Sequence, residues 1–111
     1  MNLPPLPDDA ILCTIDVVAL YPNIPHEDGL AALRKALDTR EDQRISTHSI
    51  MELAELALKN NYFEHNSRTF KQEQGTAIGA KFAPPYAILT LDDFEQKAIE
   101  GFHLKPWVWW R

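Results

Sequence analysis

Residues 10–29, AILCTIDVVALYPNIPHEDG, decide the fold prediction. The first seven alternate between two faces that are both mostly apolar, which is typical of a central β-strand covered on both sides. Pro22 and Pro25 follow, and neither can continue a strand ladder because proline lacks the backbone N–H. Pro25 suits the first position of a helix, where that N–H would have no partner. The stretch therefore predicts a buried strand, a break and a helix.

Working outward, apolar residues at helical spacing predict three helices. These are a helix from Pro25, a helix from near Thr47 to about Lys59, and a helix from about Pro84 or Pro85 to Glu100. Ser49 and Glu52, at capping-box spacing, offer an alternative start for the second helix. Residues 62–71 predict a β-hairpin that turns at Asn66 and Ser67, which places Phe63 opposite Phe70 as a cross-strand pair.

The two ends of the chain differ in character. Residues 1–9 are an extended lead-in stiffened by prolines, whereas residues 105–111, KPWVWWR, predict a strand. A chain of 111 residues has the length of one domain or of part of one. The predicted fold class is α/β (α+β in stricter usage), with a central strand and a hairpin packed with three helices.

Composition and charge restrict the class of protein. The net charge is −5, and residues 1–33 contain five acidic side chains but no Lys or Arg. A free-standing nucleic-acid binder is normally basic, so this balance argues against one. The single cysteine, Cys13, excludes an internal disulfide. Without a secretory signal or an apolar run long enough to span a membrane, we expect an intracellular protein, nuclear or cytoplasmic.

Asp16 is the first candidate for chemistry, because it follows directly on the apolar strand. A carboxylate there is costly unless it has a partner. That partner is either a metal ion or a hydrogen bond in a cap or turn, and the pattern alone leaves both open. The acidic residues of the first third likewise form either a solvated surface or ligands for a divalent cation.

The second candidate is the loop that enters the third helix, residues 74–85, QGTAIGAKFAPP. Gly75 and Gly79 suggest backbone that approaches another group closely. The pattern is not a phosphate-binding P-loop, since three residues rather than four separate the glycines and Phe82 stands where a hydroxyl is needed. A plain helix-entry loop remains the other interpretation.

Three segments together resemble the reverse transcriptase of Penelope-like retroelements, in the order found in that family. They are residues 16–29, DVVALYPNIPHEDG, residues 58–87, LKNNYFEHNSRTFKQEQGTAIGAKFAPPYA, and residues 105–111. The resemblance covers nearly the whole chain after the lead-in. It includes the Asn-Ile-Pro signature at residues 23–25, whose role we interpret as structural.

The resemblance implies the palm of an RNA-directed DNA polymerase, a retrotransposon nucleotidyltransferase that uses two metal ions. It implies that Asp16 is the first catalytic aspartate and a metal ligand, together with the backbone carbonyl of Val17. It also implies that Tyr21 lies under the sugar of the incoming nucleotide, and that Gln74 and Gly75 line the pocket for the nascent base pair. The implied cofactor is Mg²⁺, with Mn²⁺ as a substitute. The implied partners are an RNA template, a DNA primer and deoxynucleoside triphosphates.

In this family an aspartate pair on a following hairpin completes the metal site, and this sequence ends at Arg111 before such a motif. Asp92 and Asp93 do not replace it, because neighbouring side chains on a helix point about 100° apart. We predict instead a solvated helix face on which Lys97 pairs with Asp93. The chain is therefore expected to be a palm fragment that is inactive alone. The alternatives are a non-catalytic relic or a host-retained module that binds nucleic acid or protein.

Overall fold

The computed structural model describes residues 5–111, so the first four residues of the lead-in lie outside the described part. The elements are α1 (Leu20–Asn23), α2 (His26–Asp38), α3 (Thr47–Lys59), β1 (Tyr62–His65), β2 (Arg68–Lys71) and α4 (Ala83–Gly101). Within residues 5–111 the only sheet is the antiparallel pair β1–β2. This mixture of helices and a small antiparallel sheet confirms the α+β class.

The three predicted helices are present, and local signals explain their ends. Pro25 is the N-cap of α2, one residue outside the predicted start, and Glu27 and Asp28 occupy its first turn. At α3 the Ser46 side chain accepts a 3.0 Å hydrogen bond from the Ser49 amide. The third helix, α4, has proline in its first turn, where the missing N–H costs nothing.

The hairpin is confirmed with its predicted turn and register. Asn66 and Ser67 both have positive φ, 50° and 57°, as a two-residue type I′ turn requires. Phe63 lies opposite Phe70. The prediction that the hairpin packs with the helices is wrong, because all eight strand residues are exposed. At the base of the hairpin, the Gln72 amide donates to the Asn61 carbonyl oxygen at 2.8 Å, which extends the strand pairing by one step.

The central strand predicted at residues 10–16 is absent. These residues are irregular and exposed, and the exposed fractions of Ile11, Leu12 and Ile15 are 86%, 92% and 77%. A strand forms only against a neighbour that takes up its backbone hydrogen bonds. No other segment between residues 5 and 111 provides that edge. The segment therefore has the side-chain pattern of a strand without a sheet.

The terminal strand predicted at residues 105–111 is absent as well. The segment lies along α4, where the Trp109 indole Nε1 donates to Glu95 Oε2 at 3.1 Å. The Arg111 guanidinium pairs with the Asp92 carboxylate at 2.8 Å. These contacts leave most of Trp107 and Trp110 exposed. The segment is therefore held by polar contacts to a helix and not by a strand ladder.

A small core joins α1, α2, α3 and α4. Its fully buried centre consists of Ile24, Leu58, Tyr86 and Ala87. Helix α2 packs on both α3 and α4, and α1 packs on α4. The radius of gyration, 17.8 Å, exceeds the roughly 13 Å of a compact domain of this length. The excess fits with a chain whose two end segments extend outside the core.

Candidate functional site

The glycine-loop junction is the contact between residues 21–26 and residues 72–76. The first range runs from within α1 to the first residue of α2, and the second follows β2. Two backbone hydrogen bonds join them. The Gly75 amide donates to the Ile24 carbonyl oxygen at 3.1 Å, and the Thr76 amide donates to the Tyr21 carbonyl oxygen at 2.9 Å. The junction thus connects two of the three segments on which the family resemblance rests.

Gly75 is required at the junction for two physical reasons. Its φ is +76°, a conformation that other residues adopt only at a cost. A Cβ at this position would also lie 2.5 Å from both the Cα and the carbonyl oxygen of Pro22. Because those atoms belong to the backbone, a side chain could be accommodated only if the two segments moved apart.

His26 adds a third connection that sequence analysis missed. Its Nε2 lies 2.8 Å from the Gly75 carbonyl oxygen. A carbonyl oxygen only accepts, so Nε2 is the donor in this hydrogen bond. The signal in the sequence that could have identified His26 is its position directly after Pro25, within the segment that carries the resemblance. The partner, 49 positions away, could not be identified from the sequence.

The base of the loop is held by amide side chains. The Asn61 side chain donates to Gln72 Oε1, and Gln72 Nε2 donates to the Gln74 carbonyl oxygen at 2.8 Å. An open recess beside these bonds is lined by His26, Lys59, Lys71, Gln72 and Glu73. The bonds fix the backbone of Gln74 relative to the end of α3, while the side chain of Gln74 remains exposed.

The predicted site residues are only partly brought together. Tyr21 is half-buried against the core, and through its carbonyl oxygen it contacts the Gly75–Thr76 backbone. Asp16 and Val17 lie in the exposed segment before α1. The roles predicted for Asp16, Val17, Tyr21, Gln74 and Gly75 therefore stay predictions.

The metal site is not formed by the described residues alone. Between residues 5 and 111 no three His, Cys, Asp or Glu side chains lie close enough together to hold an ion. Magnesium in nucleotide sites takes one or two carboxylates, with waters and substrate phosphates as the other ligands. Asp16 could supply one such carboxylate, but the two-ion centre that the resemblance implies needs more than one. The donors present do not fit a complete centre.

The Asp92–Asp93 pair is explained by ion pairing within the fold. The Asp93 carboxylate accepts from Lys97 at 2.6 Å, as predicted, and from Lys35 of α2 at 2.9 Å. These hydrogen bonds lower the pKa of Asp93. The prediction of a solvated face is wrong for Asp93, whose exposed fraction is only 9%, because α2 packs over it. Asp92 points to Arg111 instead, so the two carboxylates do not converge.

Two buried hydroxyl groups have no hydrogen-bond partner among the described residues, those of Thr76 and Tyr86. Thr76 belongs to the junction, where its amide is bonded but its Oγ1 is not. Burial raises the pKa of the Tyr86 hydroxyl to about 12, with a smaller contribution from the Asp28 carboxylate. The Tyr86 ring lies against Gly29, so the close packing of α2 on α4 depends on that glycine.

None of the helices between residues 5 and 111 combines the length and apolar character needed to cross a membrane. Compared with models of protein families, with curated proteins and with solved structures, the chain matches none of them.

Proposed function

We propose that this chain is part of the palm of a reverse transcriptase of the Penelope-like type, the enzyme that copies retroelement RNA into DNA. The observation that carries the proposal is the glycine-loop junction. Residues 21–26 and 72–76 are far apart in the sequence, and hydrogen bonds hold them together. A nucleotide pocket built from both segments requires this proximity.

The junction also fits the chemistry of a nucleotide site. Gly75 contributes only backbone, and the space that a side chain would occupy is filled by the Pro22 backbone, so the loop lies directly against residues 21–26. The bond between the Thr76 amide and the Tyr21 carbonyl oxygen fixes the loop beside the tyrosine. In the proposed enzyme, the Tyr21 ring excludes a 2′-hydroxyl and the loop contacts the nascent base pair.

In the proposed enzyme, Asp16 and the backbone carbonyl of Val17 would each give an oxygen ligand to a divalent ion. Two such ions, when bound, would supply Lewis-acid stabilisation of the attacking oxygen and of the pyrophosphate leaving group. Among residues 5–111, no group of three His, Cys, Asp or Glu side chains lies close enough together to complete the site. We therefore assign this chain a contribution to binding and positioning, with an RNA template, a DNA primer and deoxynucleoside triphosphates as partners.

The second candidate function is a non-catalytic module that binds protein or nucleic acid. The exposed apolar residues favour it, among them Ile11, Leu12, Val18, Trp107 and Trp110. Exposed apolar surface of this extent is typical of an interface. The polymerase proposal accounts for the same residues as parts of a larger sheet, so a functional test must separate the two.

The test is a segment exchange in an active Penelope-like reverse transcriptase, whose corresponding segment is replaced by residues 10–111. Primer extension on an RNA template is measured with magnesium. We expect the hybrid to be active and Asp16→Asn to abolish extension, while the 111-residue chain alone is inactive. A folded hybrid without activity, or one whose activity survives Asp16→Asn, would contradict the proposal.

The same hybrid tests Tyr21. Tyr21→Ala should raise ribonucleotide incorporation relative to deoxynucleotide incorporation by roughly 5- to 150-fold, the equivalent of relieving about 1–3 kcal/mol of overpacking. Tyr21→Phe is the matched control, because it keeps the ring and should keep the discrimination. If both incorporation rates fall together in Tyr21→Ala, Tyr21 is a packing residue of the core and not part of the nucleotide site.

A further inference from the structure

Between residues 5 and 111, no other element covers either face of the hairpin β1–β2. Successive side chains of a strand point to opposite faces, so the register divides the eight residues into two sets. We name the first set the aromatic face: Phe63, His65, Arg68 and Phe70. The second set is the opposite face: Tyr62, Glu64, Thr69 and Lys71. All eight residues are exposed.

The aromatic face centres on two stacked rings. The centroids of Phe63 and Phe70 are 5.5 Å apart with 19° between the ring planes. Such a cross-strand pair stabilises the hairpin by a fraction of a kcal/mol to about 1 kcal/mol. Even so, 51% of Phe63 and 42% of Phe70 remain exposed. Exposed flat rings on a sheet are the surfaces on which unpaired bases stack in many nucleic-acid-binding domains.

The charge of the aromatic face favours an anionic partner. The face carries Arg68 and His65 and has no carboxylate, although the chain as a whole has a net charge of −5. Arg68 forms no ion pair within residues 5–111. On the opposite face the charges of Glu64 and Lys71 offset each other. Flat rings and an uncompensated guanidinium are therefore found together on one side of the hairpin only.

We propose that the aromatic face binds single-stranded nucleic acid, with bases stacked on Phe63 and Phe70 and a phosphate held by Arg68. The choice of nucleic acid over an acidic peptide rests on the proposed function, since a polymerase handles an unpaired template. It also rests on ring shape, because a carboxylate does not stack. RNA and DNA both present flat bases and phosphates, so both fit the face.

The experiment measures fluorescence anisotropy of a labelled oligothymidylate of about 10 nucleotides with the complete 111-residue chain. Phe63→Leu and Phe70→Leu keep an apolar side chain but remove the flat ring. Each should weaken binding by roughly 5- to 150-fold, which is the contribution of one stacked base. Tyr62→Leu, which removes an exposed ring from the opposite face, is the matched control and should leave binding unchanged.

A second measurement keeps the test decisive if a Phe variant disrupts the hairpin. Arg68→Gln leaves the ring pair intact and should reduce the slope of log affinity against log salt by about 0.7, the value for one phosphate of a single strand. Lys71→Gln on the opposite face should not change the slope. A labelled oligouridylate tests RNA and should give the same order of variants.

Three results would overturn the proposal: no binding of either oligonucleotide, equal weakening by the variants of both faces, or binding of an abasic strand or polyglutamate as tight as that of the oligonucleotide. The binding measurement does not involve Asp16, whereas the segment exchange tests the role of Asp16. Failure of the hairpin proposal and failure of the polymerase proposal are therefore separate outcomes.

Discussion

Replacing Gly75 with alanine would test whether the glycine-loop junction is a rigid contact. The new Cβ would lie 2.5–2.6 Å from three backbone atoms of Pro22. Backbone cannot change rotamer to make room, so the loop would have to separate from residues 21–26. Separation breaks the bonds from the Gly75 amide to Ile24 and from the Thr76 amide to Tyr21.

The expected cost has two parts. A residue other than glycine at positive φ costs about 1–2 kcal/mol. Overpacking against Pro22 costs about 1–3 kcal/mol, and relieving it by losing two backbone hydrogen bonds costs a similar amount. We therefore expect Gly75→Ala to lower the free energy of unfolding by about 2–5 kcal/mol, a large share of the roughly 5–15 kcal/mol that stabilises a typical domain.

Gly79→Ala is the matched control for this prediction. Gly79 has φ +101°, further from the range that other residues tolerate than the +76° of Gly75, but a Cβ there meets no atom within 4 Å. Only the backbone cost of about 1–2 kcal/mol should appear. The difference between the two variants, about 1–3 kcal/mol, then isolates the contact with Pro22.

The assay is urea unfolding followed by helical circular dichroism, combined with hydrogen exchange of the Thr76 amide. We expect that amide to be protected in the wild type and in Gly79→Ala, and to exchange rapidly in Gly75→Ala. Equal destabilisation by the two variants would show that the loop accommodates a side chain at Gly75. An unprotected Thr76 amide in the wild type would refute the junction itself.

Two further predictions concern the core between α2 and α4. Hydrogen bonds from its two lysine partners hold the pKa of Asp93 below its usual 3.8, so this stabilisation is complete above pH 3.8 and is lost as the pH falls through the lowered pKa. Asp93→Asn should thus have a lower free energy of unfolding in urea than the wild type at neutral pH, and the same free energy in acid. Asp92→Asn is the control. A difference in stability between Asp93→Asn and the wild type that persists in acid would contradict the reasoning. Tyr86→Phe removes a buried hydroxyl without a partner and should raise the free energy of unfolding by about 1 kcal/mol, whereas Tyr62→Phe at the surface should change little. Because burial raises the pKa of Tyr86 to about 12 from 10.0, the wild type should also lose stability between those pH values, a loss that Tyr86→Phe should not show.

The amino-acid sequence was enough to predict the elements whose hydrogen bonds join residues close together in the chain. Helix α3 begins and ends at the predicted residues, since apolar spacing and the Ser46 cap are local signals. The hairpin has its predicted turn at Asn66 and Ser67, because turn chemistry and strand pairing are both encoded within ten residues. The resemblance to Penelope-like reverse transcriptases remains a prediction from sequence.

Features that depend on distant partners could not be predicted from the sequence. Residues 10–16 have the apolar pattern of a central strand, but pattern alone cannot supply the neighbouring edge that a strand needs. The sequence predicts a solvated helix face for Asp93, whereas in the fold α2 places Lys35 against it. The contact of Gly75 with residues 21–26 likewise joins segments that are far apart in the sequence. Helices and tight hairpins satisfy their own backbone, whereas strand pairing, burial and the junction are decided by residues far away in the sequence.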